Sequence, residues 1–156
     1  MRRILVAVDE TEASRDAARM AVEYAERLGA RLTFLHVLPA RVSGAGSSQD
    51  APEFADFERA CEVQAARLLE EACQLTGSPL PLVDTQVRYG DPVEALCTAA
   101  QADDVDLVMT GTRERGPLAR ALLGSVALRL VSQCCKPVLV VPHRQAPLGS
   151  HPRVTG

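Results

Sequence analysis

The stretch Gly111-Thr112-Arg113-Glu114-Arg115-Gly116 follows the apolar run Asp106 to Thr110, and Leu122-Leu123-Gly124-Ser125-Val126 comes shortly after it. Glycines let a backbone approach a phosphate closely, and amides at a helix start carry partial positive charge, so strand, glycine loop, helix and Gly-Ser together suggest an anion cradle. Glu114 places a negative charge where that cradle should lie. Two unit charges about 4 Å apart repel by roughly 1 kcal/mol in water and about 4 kcal/mol at an effective dielectric near 20, a cost of roughly one to three orders of magnitude in affinity. Arg113, Arg115 and Arg120 lie close enough in sequence to pair with Glu114 or to reach an anion, and Gly116 keeps the loop free to adapt.

A second group of candidates stands at the ends of other apolar runs: Asp9 after Ile4 to Val8, and Val37 to Pro39 closing Leu32 to Leu38. In an open parallel sheet, ligands bind beyond the carboxyl ends of the strands where strand order reverses, and these residues are expected to converge there with Gly111 and Gly124-Ser125. Each also has an ordinary reading. Asp9 and Thr11 suit a helix start, Ser14 a helix interior, His36 a satisfied core histidine, and Cys134-Cys135 packing within the last helix. There is no Ser-His-Asp set, no Gly-Lys-Ser/Thr phosphate loop and no evident base for activating water, so turnover is expected to be absent or very slow.

The elements that must position these residues are short. Ile4 to Val8, Leu32 to Leu38, Leu107 to Thr110 and Val138 to Val141 are apolar and rich in branched side chains, as in strands covered on both faces. Leu82 to Arg88 alternates apolar and polar residues, which places a third strand at a sheet edge. Helical periodicity runs from Ala17 to Leu28 before Gly29, from Phe54 to Leu75 before Gly77, from Pro92 to Ala102, and from Leu118 to Cys134. The alternation predicts an α/β fold, a doubly wound five-stranded parallel sheet with helices on both faces. Pro39 to Pro52, with its Gly/Ser-rich centre, reads as a long loop or lid. Residues 1–143 are expected to form one domain and 144–156 a flexible tail.

The composition narrows the function. A chain of 156 residues can bury an adequate core without metal or disulfide support, and 3% aromatics leave little for stacking nucleic-acid bases. Net charge is −3 with arginines interspersed among acids, which argues against nucleic acid as a partner. Five cysteines without CxxC or metal-ligand spacing fit a reducing cytoplasm, and no run approaches the roughly 20 apolar residues of a membrane span.

Ile4-Leu5-Val6-Ala7-Val8-Asp9-Glu10-Thr11-Glu12-Ala13-Ser14, Arg88-Tyr89-Gly90-Asp91-Pro92, Leu122-Leu123-Gly124-Ser125-Val126 and Lys136-Pro137-Val138-Leu139-Val140-Val141-Pro142 together resemble the universal stress protein family, from Arg3 to Pro142. The nucleotide-binding branch carries Gly, two residues, Gly, nine residues, then Gly with Ser or Thr. Here that spacing is kept from Gly111 to Gly124-Ser125, with Glu114 at the second glycine. The resemblance implies a Rossmann-like fold of the adenine nucleotide alpha hydrolase type. It implies ATP, or AMP or another adenine nucleotide, with magnesium: Asp9 at the ribose or metal side, Val37 offering backbone groups to adenine, and Gly111, Gly124, Ser125 and Val126 at the phosphates. Thr110, Arg113 and Gly116 complete the implied site. It further implies a stress-response regulatory module that homodimerises through Val138 to Val141, whose apolar edge has no interior charge or proline to block pairing. A nucleotide-free dimeric scaffold for client proteins is the alternative.

Three other classes fit poorly. A phosphate-accepting receiver domain needs an acceptor Asp after the third strand, where Asp91 instead starts a helix, and a dinucleotide oxidoreductase needs glycines after the first strand, where the chain reads Asp-Glu-Thr-Glu. A membrane-bound protein needs a span the chain lacks.

Overall fold

The computed structural model describes residues 1–40, 52–77, 83–112 and 124–143. Strands and helices alternate throughout: β1 (Arg3–Ala7), α1 (Glu12–Leu28), β2 (Arg31–Leu38), α2 (Pro52–Gln74), β3 (Val83–Tyr89), α3 (Pro92–Ala100), β4 (Val105–Thr112), α4 (Ser125–Gln133) and β5 (Val138–Pro142). All pairings are parallel and the strand order is β3-β2-β1-β4-β5. The chain therefore winds outward from β1 to one edge, crosses back, and winds to the other, which is the Rossmann-like arrangement expected from the alternation.

Successive residues of one strand face opposite sides of the sheet, and both sides are covered. Ile4, Val6, Leu32 and Phe34 pack beneath α1 and α2 with Ala17, Ala21, Ala25, Leu69 and Ala72. Leu5, Leu35, Val105 and Val108 pack beneath α3 and α4 with Val93, Leu96, Ala100 and Leu130. This double burial explains why the central strands read as continuous apolar runs. The alanine stripe of α1 brings that helix close to the sheet. Gly29 ends α1 in the left-handed conformation at φ 61°, as a helix stop requires.

Both sheet edges fall where the sequence places them. β3 is the more exposed, whereas β5 keeps Val138, Leu139 and Val140 half-buried. Three boundaries differ from expectation. β4 continues through Gly111 and Thr112, because these residues still pair with Val141 and Pro142 of β5. Gly124 stands in an extended conformation, ψ 152°, and starts α4 rather than lying inside it, while 118–123 are outside the described residues. At the other end Cys134 closes α4 with ψ 137°, so Cys134-Cys135 lie just beyond the helix; Cys134 still packs against the core on this face, whereas Cys135 is exposed. The expected tail, 144–156, and most of the expected lid, 41–51, also lie outside the described residues. No helix among the described residues is long and apolar enough to cross a membrane.

Four polar side chains are buried among the described residues: Ser14, Thr33, Thr110 and Thr112. Thr33 sits in β2 between Leu5 of β1 and Asp84 of β3, 1% exposed, and its hydroxyl has no hydrogen-bond partner. An unpaired buried hydroxyl costs desolvation without return, so Thr33→Val, which keeps the shape, is expected to stabilise the fold by about 1 kcal/mol in denaturant unfolding. A loss of stability would show that the hydroxyl has found a partner.

Candidate functional site

β1 is shorter than its neighbours at the carboxyl end. Its last pair with β2 is Ala7 with Leu35, and its last pair with β4 is Val6 with Met109. β2 then runs on to Leu38 and β4 to Thr112, so a crevice opens above the end of β1 at the point where strand order reverses. It is a cleft of about 130 Å³ whose floor and walls include Asp9, Val37, Thr110, Gly111 and Val126. Pro92 and Leu96 of α3 form another wall. A larger cavity of about 210 Å³ lies between α1 and α2, spanned by the Arg15–Glu71 ion pair at 3.6 Å, but neither β2 nor β4 contributes to it. The cleft above β1 is the one built from the strand ends.

The turn leaving β1 is held by its own side chains. Asp9 Oδ1 accepts the Thr11 amide at 2.8 Å, and Thr11 Oγ1 accepts the Ser14 amide at 3.0 Å as the N-cap of α1. Ser14 Oγ accepts the Asp9 amide at 2.9 Å and donates to the Ala7 carbonyl at 3.3 Å. Ser14 lies in the first turn of α1, and its buried hydroxyl ties the helix to the strand end. Asp9 keeps an exposed carboxylate at the rim. No group of three or more metal-ligating side chains occurs among the described residues, so Asp9 alone offers a carboxylate to the cleft.

Gly111 lines the cleft and is also required by packing. A Cβ there would fall 2.2 Å from the Ala13 carbonyl oxygen, so the first turn of α1 presses directly on β4. Gly124 is less crowded: its amide donates to Thr112 Oγ1 at 2.9 Å, and a Cβ would meet that same oxygen at 3.3 Å. Thr112 therefore fastens the start of α4 to the end of β4. Ser125 follows as the first residue of α4, beside the cleft. Arg113, Glu114 and Gly116 lie outside the described residues. His36 is satisfied as expected, its Nδ1 donating to the Val8 carbonyl at 2.7 Å, yet it is only half-buried and lines the cleft.

The three helix starts around the cleft differ. α1 is capped by Thr11 and α3 by Asp91, whose carboxylate accepts the Val93 and Glu94 amides at 3.0 and 3.1 Å. α4 begins at Gly124 with no capping side chain, which leaves its first amides without that acceptor. The sequence does not single out Thr112, and it presents Ser14 and His36 only as a helix-interior and a core residue, because their roles at the cleft depend on contacts between separate elements.

A model of the universal stress protein family matches residues 1–142. This chain belongs to the universal stress protein family. A universal stress protein of Thermus aquaticus is 32% identical over 138 residues, covering 88% of this chain and 96% of the relative. Among solved structures, the universal stress protein UspA from Lactobacillus plantarum superposes with a TM-score of 0.73 at 25% identity, covering 90% of this chain and 97% of the other. A universal stress protein family protein from Arabidopsis thaliana, with AMP bound, superposes with a TM-score of 0.63 at 21% identity over 92% of this chain and 93% of the other.

Two outcomes are expected of this universal stress protein fold. Gly111→Ala drives a methyl group into the Ala13 backbone and should lower unfolding stability by roughly 2 kcal/mol or more; an unchanged midpoint would mean that α1 yields freely. Asp91 has a carboxyl pKa held below its ordinary value, first by its hydrogen bonds from Arg129 and then by the Glu94 amide. A depressed folded-state pKa contributes stability above the unfolded value of about 3.9 and loses it as pH falls through the folded value. Asp91→Asn should therefore flatten the loss of stability below about pH 4, and identical acid limbs in the two proteins would refute it.

Proposed function

We propose that the cleft above β1 binds an adenine nucleotide and that binding, rather than turnover, is its purpose. The observation that carries this reading is the juxtaposition of an apolar slot with an uncapped helix start. Leu35, Leu96 and Val126 line a slot of about 130 Å³, a size suited to a base rather than a whole nucleotide. The first amides of α4, without a side-chain acceptor, stand beside it as donors for an anion. The base takes the slot against the Val37 main chain, Asp9 meets the ribose, and the phosphates meet Gly124, Ser125 and Val126. Gly111 and Thr110 form the floor beneath them.

Support also comes from the family, whose Arabidopsis member holds AMP. ATP is the second candidate, with magnesium arriving on its phosphates and Asp9 as the side chain closest in chemistry to that ion. Glu114, where the nucleotide-binding branch has glycine, weakens the binding of the more highly charged nucleotide. Arg113 and Gly116 belong to the same stretch and take part on the sequence argument. Among the described residues that line the cleft, the Ser14 hydroxyl and His36 Nδ1 are each engaged with a main-chain carbonyl, of Ala7 and Val8, rather than with one another, which favours a regulatory module.

The protein acts as a homodimer through β5 in this reading. Its Val138, Leu139 and Val140 are half-buried at an open sheet edge, and Leu128 and Val131 of α4 are 56% and 51% exposed. That apolar surface equally favours a nucleotide-free scaffold that engages client proteins. Five free thiols fit a reducing cytoplasm.

Mass analysis of nucleotide released on denaturation, followed by calorimetric titration with AMP and with magnesium ATP, tests the proposal. Micromolar to submillimolar binding is expected, abolished by Gly124→Val, whose branched side chain meets Thr112, and tightened for ATP by Glu114→Gly. No bound nucleotide and no heat up to millimolar concentrations would transfer the function to the β5 and α4 surface.

A further inference from the structure

Arg129 projects from α4 one turn beyond Val126, and its two terminal nitrogens grip the Asp91 carboxylate. Nη1 donates to Oδ2 at 2.9 Å and Nη2 to Oδ1 at 3.1 Å. The same Oδ1 accepts the Val93 and Glu94 amides, so one carboxylate both starts α3 and holds α4. Pro92 and Leu96 of α3 and Val126 of α4 are the cleft-lining residues contributed by the helices of this face. Farther along, the two helices meet through apolar side chains such as Leu96 and Leu130, and such packing is not directional.

We propose that Asp91 and Arg129 are positioning residues for the cleft, and that their two-pronged contact sets the gap between the Pro92–Leu96 wall and Val126. The proposal rests on the nucleotide reading for its functional consequence. As an ion pair the contact is a weak source of stability, because the side chains are 34% and 44% exposed and water screens them. Its value is geometric. A planar guanidinium engaged at both nitrogens fixes distance and angle together, which a lysine ammonium does not. α4 is then held at two points on either side of Val126: the Gly124 amide on Thr112, and Arg129 on Asp91. Both anchors are made by side chains of elements that border the same cleft.

The test is AMP titration of the wild-type protein, Arg129→Lys, Asp91→Asn and the double variant, with thermal unfolding and methyl NMR of each ligand-free protein. Asparagine is as good a helix cap as aspartate, so Asp91→Asn removes the arginine grip while keeping the start of α3. Each single variant should weaken AMP binding roughly three- to tenfold, and the double variant no more than either single one, because both remove one contact. The Val126 and Leu96 methyl resonances should move, whereas Ile4 and Val6 on the opposite face stay in place. Unchanged affinity, or losses that add in the double variant, would overturn the positioning role and leave an ordinary surface ion pair. If wild-type protein binds no AMP, the nucleotide reading fails on its own account. The methyl spectra then decide this proposal, and unmoved Val126 and Leu96 resonances overturn it.

Discussion

The central constraint is the mismatch between β1 and its neighbours. β1 stops pairing at Val6 on one side and Ala7 on the other, while β2 and β4 extend several residues further. A strand that ends early between two longer ones leaves main chain of both neighbours facing an empty notch. Because strand order reverses at that same place, no crossover helix covers the notch, and a cleft results. Every candidate residue the structure describes, from Asp9 to Val126, takes its place relative to that notch.

α1 is the element most tightly bound to this arrangement. Its N-terminus is locked by the Asp9, Thr11 and Ser14 hydrogen bonds, and its first turn sits so close to β4 that only glycine fits at 111. The glycine that opens the expected phosphate motif is therefore a packing requirement of the helix–strand contact. α3 and α4, on the other face, are joined near the cleft by the two hydrogen bonds from Arg129 to Asp91. One wall is rigid by close packing and the other is set by side-chain geometry.

The hydroxyl side chains show how polar groups are accommodated in so apolar a fold. Ser14 in the first turn of α1 and Thr110 and Thr112 in the last residues of β4 are buried, and all have hydrogen-bond partners. Thr33, in mid-strand, has none. Buried polarity is thus concentrated where chain direction changes, because there the backbone groups are not already consumed by the sheet.

Much of the architecture was legible because period and punctuation are local properties. Apolar runs, alanine stripes and glycine stops mark β1 to β5, α2 and α3 within about two residues and the end of α1 at Gly29, although α1 starts at Glu12, ahead of the periodic run from Ala17, and the alternation alone implies the parallel sheet. The sequence pattern runs a helix through Gly124, where the structure starts α4, since nothing nearby in the sequence shows that Thr112 holds the Gly124 amide. Asp9, Val37, Gly111 and Val126 could be nominated from strand ends and motif spacing. Their meeting in one cleft, the half-exposure of His36, the contact of Gly111 with Ala13 and the grip of Arg129 on Asp91 arise from residues up to about a hundred positions apart. Sequence by itself determined which segments become strands and helices, because side-chain periodicity acts over a few residues. Only the tertiary structure decided which strand ends fall short and which side chains face the gap, because those depend on register and helix placement set by the whole core.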